Sequence, residues 1–229
     1  MASRIVLITG KSLQYSANSG VGYATTQVLA AAPEKFHVIM ACRSLAKANA
    51  AKAEIEAGGI TGSISTVQLD VTDDASIEAA AASVEQQLGR LDVLVNNAAM
   101  GVSDLDARTR FLKTMETNTF GPWQVAKAFR PLLLKSSTGS GAYSIYAALN
   151  MYMVLDWRQS KQNQTNVKVF GMCPGFVVSN LRGPSEAARN PGGAALDPRV
   201  SGELVLSIVQ GQRDADEGRV VRFEGTWPW

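Results

Sequence analysis

Arg4-Ile5-Val6-Leu7-Ile8-Thr9-Gly10 is an apolar run closed by a glycine. It lacks polar alternation, so it reads as a strand buried on both faces, the kind found inside a parallel sheet. Val21, Ala24, Thr25, Val28 and Leu29 then recur at helical spacing, and Pro33 follows as a stop signal. Strand, glycine and helix in this order define the first unit, and the rest of the chain repeats it.

Residues 36–42 read as a second buried strand, residues 46–57 as a helix ended by Gly58-Gly59, and residues 65–69 as a third strand. Asp73 and Asp74 are candidate N-caps for a helix with Ile77, Ala81, Val84 and Leu88 on its apolar face. A fourth strand covers residues 91–95. A long helix over residues 111–135 is expected to kink at Gly121-Pro122. Residues 142–146 start a fifth strand and residues 167–170 form a late one. Residues 181–199 read as a loop or mobile lid, followed by a helix over 201–210 and a last strand over 219–223. Strands alternating with helices predict an α/β fold, a doubly wound parallel sheet with helices on both faces, as one domain over residues 1–229.

Net charge is +2 with no basic stripe, which argues against a nucleic-acid partner. Cys42 and Cys173 make no CxxC pair, and no apolar run is long enough to span a bilayer. No charged, signal-like segment precedes the first strand, so a reduced, cytoplasmic setting without a membrane is the expectation. No metal-ligand spacing is present. Gly10-Lys11-Ser12 is not a Walker A loop, because Ile5 stands where its first glycine belongs.

Gly20-Val21-Gly22 opens the first helix. Glycines there let backbone approach a pyrophosphate, which the helix N-terminus attracts. Taken with the segments that follow, the chain resembles the short-chain dehydrogenase/reductases, a Rossmann-type family, over nearly its whole length. The family's TGxxxGxG loop is recognisable in Thr9-Gly10 and Ala17-Asn18-Ser19-Gly20-Val21-Gly22. Asp70-Val71 matches the pair that contacts adenine. Asn96-Asn97-Ala98-Ala99 matches the NNAG segment, and Pro174-Gly175-Phe176-Val177-Val178-Ser179 matches PGxVxT beside the nicotinamide. The resemblance implies a cofactor site at Gly10, Ser19, Gly20, Val21, Gly22, Asp70, Val71, Asn97, Ala98, Pro174, Gly175, Val177 and Ser179. It also makes Asn118 the supporting member of a catalytic tetrad. Where NAD-preferring sites carry an acid after the second strand, this chain has Arg43-Ser44, suited to a 2′-phosphate; NADP is therefore the expected cofactor. The implied substrate is a small carbonyl or alcohol.

Two departures stand out. Residues 11–16 interrupt the glycine loop, and their removal would restore a complete family motif. The serine after the fifth strand and the YxxxK pair are absent: residues 19, 27, 147, 150 and 156, four beyond each tyrosine, include no lysine. Tyr146 and Ala147 join what look like a strand and a helix that lie well apart in the family. No turn residue marks the junction, so a shortened or irregular strand is expected there. Tyr143 reads as a half-buried strand residue, and His37 and Lys161 as packing or surface groups. Trp227-Pro228-Trp229 reads as a cover for the sheet edge or a homo-oligomer contact. Four readings follow: an NADP-dependent oxidoreductase, a catalytically impaired scaffold, a sequence with altered exon boundaries, and a non-redox role in specialised metabolism.

Overall fold

The computed structural model describes residues 3–10, 20–101, 105–139, 141–146, 151–183 and 185–227, with backbone alone for 151–155. One eight-stranded sheet has the order β3-β2-β1-β4-β5-β6-β7-β8. The strands are β1 Arg4–Gly10, β2 Phe36–Cys42, β3 Ser63–Gln68, β4 Val93–Asn96, β5 Ala142–Tyr146, β6 Val167–Met172, β7 Val220–Val221 and β8 Thr226–Trp227. All pairings are parallel except β7 with β8. Strand order reverses between β1 and β4, the switch point at which ligands of such sheets bind.

Period-two alternation along β1 decides which helices cover which face. Ile5 and Leu7 point to a core that includes Ile77 and Val84 of α3 (Asp74–Leu88) and Val125 and Phe129 of α5 (Gly121–Leu134). Val6 and Ile8 point to the opposite core, with Leu29 of α1 (Val21–Ala31) and Val205 and Ile208 of the last helix. A third, smaller cluster seats Ile55 of α2 (Leu45–Ala57) on Ile64. The remaining helices are α4 (Ala107–Met115), α6 (Met151–Gln162), α7 (Glu186–Arg189) and α8 (Arg199–Val209). The expected doubly wound α/β architecture is therefore present.

Local chemistry sets the helix boundaries. Asp73 caps α3 by accepting from the N–H groups of Ala75 and Ser76, and Gly89 ends it in the left-handed region. Between α4 and α5 the backbone stays in the right-handed helical region through Gly121, where the kink was expected. It passes through a π-helical turn, Glu116–Phe120, and Pro122 follows in the first turn of α5. Gly121 packs directly on β3's exit loop; a Cβ there would lie 2.6 Å from the Val71 carbonyl oxygen.

Asp92 ties the start of β4 to β1. It is fully buried and accepts from the Ile5 N–H at 2.8 Å, Ser136 Oγ at 2.7 Å and Arg90 Nε at 3.3 Å. The strand expected over 219–223 is β7, two residues long, because Arg222 closes a turn with Gly225. Trp227 lies in the antiparallel edge strand β8, with Arg222 stacked 4.7 Å over its ring. The loop expected over 181–199 contains short helical turns at Asn180–Arg182, Glu186–Arg189 and Pro191–Gly193.

Candidate dinucleotide site

The carboxyl ends of β1, β2, β4 and β6 surround a crevice of about 360 Å³. Gly10, Gly20, Val21, Gly22, Asn97, Pro174, Gly175, Val177 and Ser179 all line it. A second cavity of about 280 Å³ shares Gly10 and is lined by Arg43, Asp70, Val71 and Ala98. Of the residues singled out by sequence, nine thus line the larger cavity, four more line the second, which shares Gly10 with it, and Ser44 caps α2. Ser19 lies outside the described residues, as do all of residues 11–16.

Thr9 builds the floor. Its Oγ1 accepts from the backbone N–H groups of Asn97 at 3.0 Å and Ala98 at 3.1 Å, and Asn97 Nδ2 donates to its carbonyl at 2.9 Å. Asn97 is thereby pinned against α1, where a Cβ on Gly22 would lie 2.6 Å from its Nδ2. Gly20 has φ +121°, a conformation L side chains rarely adopt, and it precedes α1 without offering a side chain to cap it. A close-approach backbone and a helix N-terminus facing the crevice fit a pyrophosphate.

Asp70 accepts from the Thr72 N–H at 3.0 Å and Thr72 Oγ1 at 2.8 Å, and lies 3.9 Å from Arg43 Nη1. Arg43 is 43% exposed at its side chain, on the rim above α2. Ser44 caps α2 by accepting from the Lys47 N–H at 3.4 Å. Arg43 borders the second cavity beside Asp70, and Lys47, in the first turn of α2, lines the larger one; each offers a positive charge to a phosphate.

Asn118 sits in the π-helical turn. Its Oδ1 accepts from the Met100 N–H at 2.6 Å and its Nδ2 donates to the Met100 carbonyl at 2.8 Å, so it holds the loop after β4 and borders neither cavity. Tyr143 is completely buried rather than half-buried, stacked on Phe170, with its hydroxyl 3.4 Å from Asp214. Tyr146 is buried on the other face and donates to Asp156 Oδ2 at 2.9 Å; Arg130 holds the same carboxylate at 2.7 Å. Burial, then the Asp156 charge, pushes the Tyr146 phenol well above its usual range. Tyr23 lines the crevice, but burial and Glu54 raise it to about 12. Neither phenol titrates near neutral pH. β5 is regular through Tyr146; the junction residues 147–150 lie outside the described residues. His37 bridges Ser63 and Ser65, and Lys161 pairs with Glu217.

Sequence reasoning missed three site residues. Thr9 was visible only as the first letter of a glycine motif. Lys47 carried no signal beyond helical position. Arg182 lay in a stretch with no chemical pattern.

The chain matches the short chain dehydrogenase family over residues 4–141. It is 28% identical to the short-chain dehydrogenase/reductase tropE of Talaromyces stipitatus, covering 97% of this chain and 96% of the relative. It is 31% identical to the short-chain dehydrogenase anuI of Penicillium roqueforti, covering 96% of each. The first alignment runs over 263 positions, more than the 229 residues of this chain, so positions of the relative have no counterpart here. Among solved structures, the NADPH-bound carbonyl reductase from chicken fatty liver superposes with a TM-score of 0.79 over 99% of this chain and 94% of that one, at 24% identity. The chain belongs to the short-chain dehydrogenase/reductase family, a family of oxidoreductases with the Rossmann-type fold. No helix among the described residues is long and apolar enough to cross a membrane.

Proposed function

We propose that this chain is an NADP(H)-binding member of its family whose lineage chemistry is carbonyl–alcohol interconversion in specialised metabolism. The carrying observation is the single crevice at the strand-order reversal, lined by Gly10, Gly20, Gly22, Asn97 and Val177. When bound, the nicotinamide supplies hydride transfer. The chain's own residues do the rest: Gly20 and Gly22 admit the pyrophosphate, Asn97 and Thr9 fix the floor, and the wall from Pro174 to Ser179 lies beside the nicotinamide end. Asp70 and Val71 border the adenine end. Arg43 and the α2 N-terminus receive the 2′-phosphate. A hydrogen bond to a charged group contributes about 1.5–3 kcal/mol, so roughly tenfold to a hundredfold in preference. The fungal relatives and the NADPH-bound structural neighbour support the same reading.

A second reading concerns turnover. The sequence holds no YxxxK, and Tyr143 and Tyr146 are buried against aspartates. In this reading the chain binds cofactor but lacks the YxxxK pair that would deliver a proton, and Asn118 positions the loop after β4. A segment lost between Tyr146 and Ala147 accounts for both features. Cytoplasmic residence and homo-oligomerisation belong to the proposal as well. Calorimetric titration with NADPH and with NADH tests the cofactor choice. Tighter NADPH binding is expected; equal or tighter NADH binding overturns it.

A further inference from the structure

Among the described residues, no carboxylate lines the 360 Å³ crevice; its two formal charges are the cations Lys47 and Arg182. Lys47 belongs to α2, which follows β2, and Arg182 to the helical turn that follows β6; these two strands lie four places apart in the sheet. The cofactor reading above uses the α2 N-terminus, for the 2′-phosphate, and Gly20 and Gly22, for the pyrophosphate. It leaves Arg182 without a role.

Arg182 is held rigidly but not neutralised. Its Nε donates to the Ala188 carbonyl at 3.2 Å, and its Nη2 to the Val177 and Arg189 carbonyls, both at 2.8 Å. Its guanidinium carbon lies 4.3 Å over the Phe176 ring. These partners are neutral, and it forms no ion pair with a carboxylate among the described residues. The segment that carries it is docked: Gly101 meets Leu181 so closely that a Cβ would lie 1.9 Å from the Leu181 carbonyl oxygen. A fixed cation in a carboxylate-free crevice attracts and orients anions. Pro174, Val177 and Leu181 give the same crevice an apolar wall.

We propose that Arg182 receives the carboxylate of an acidic carbonyl substrate with an apolar body. The inference rests on the cofactor reading, which leaves Arg182 unassigned. A cofactor phosphate shares the same anionic chemistry, and the test separates the two sources. Phenylglyoxylate and its methyl ester present the same ketone with and without the charge. Their binding is measured by calorimetry, with and without saturating NADPH, for the unmodified chain, Arg182→Lys and Arg182→Gln, each checked by circular dichroism.

The acid is expected to bind the unmodified chain at least about tenfold more tightly than the ester. Arg182→Lys should keep most of that preference and Arg182→Gln should reduce it to within about threefold. Equal binding of acid and ester overturns the proposal. So does equal loss in the two variants, which makes the arginine purely structural; if Arg182→Gln does not fold, loss in Arg182→Lys decides in the same way. Weakened NADPH binding with the acid preference intact assigns Arg182 to the cofactor and also overturns it. A chain that takes up no NADPH defeats the cofactor reading alone, because the arm without cofactor still decides the carboxylate.

Discussion

β4 and β5 are neighbouring strands, and their carboxyl ends face opposite fates. At the end of β4, Thr9, Asn97, Ala98, Met100 and Asn118 are joined by hydrogen bonds between 2.6 and 3.1 Å, and the glycines opposite leave room for a ligand. At the end of β5, Tyr146 turns into the core and binds Asp156. Arg130 Nη2, beside that carboxylate, finds no hydrogen-bond partner among the described residues, and neither does the buried side chain of Asn96, the last residue of β4, which pairs in register with Tyr146. Buried polar groups left unpaired cost about 1–3 kcal/mol each. In the proposed reading the first region holds the cofactor, while the second lacks the serine and YxxxK that the family resemblance would place there.

The largest expected effect tests whether the β1–β4 half is the rigid one. Asp92→Ala would leave the Ile5 N–H, Ser136 and Arg90 without their shared acceptor. Breaking such a buried charged network costs about 3–5 kcal/mol, read as a lower denaturant midpoint at unchanged slope. A loss below about 1 kcal/mol would show that β1 and β4 are held by their apolar packing alone. Arg43→Ala probes the cofactor corner: NADPH affinity should fall tenfold to a hundredfold with little change for NADH. Parallel losses for both cofactors would move Arg43 from recognition to scaffold.

The smallest effect belongs to the β5 end. Tyr146→Phe removes one hydrogen bond from a carboxylate that Arg130 still holds, so about 1 kcal/mol is expected at neutral pH. Its pH signature is more specific. The folded state keeps the Tyr146 proton above the unfolded value of about 10. Stability is therefore fully present below that pH and falls as pH rises past it, because the unfolded chain then binds fewer protons. Tyr146→Phe should flatten this alkaline loss. An unchanged alkaline limb in thermal melts would place the phenol outside the core.

Much of the first region was legible in the sequence. The bounds of β1 and β2 follow from unbroken apolar runs, which only a strand covered on both faces requires. Asp73 and Gly89 mark the ends of α3 through local chemistry that needs no tertiary context. Gly20 and Gly22 were readable because few other residues fit such positions. The rest depends on distant partners. The π-helical turn around Asn118 has no local signal; the loop after β4 selects it. Tyr143 looked half-buried because a strand tyrosine gives no hint that Phe170 and Asp214 lie over it. β8 is two residues long and forms only because Arg213 and Arg222 organise the turn before it. Arg182 becomes visible as a site residue only after the fold brings three carbonyls to its guanidinium.

In the proposed reading this chain holds an NADPH site without the serine and YxxxK residues that would deliver a proton. NADPH consumption across ketones, quinones and aldehydes tests it, with the chain as it stands beside one carrying a serine and YxxxK segment between Tyr146 and Ala147. Positioned acid–base groups contribute about 10²–10⁴-fold, so the restored chain should exceed the present one by at least about a hundredfold. Equal turnover by the two chains would contradict the account and point first to Tyr143→Phe and Tyr146→Phe as the substitutions to examine.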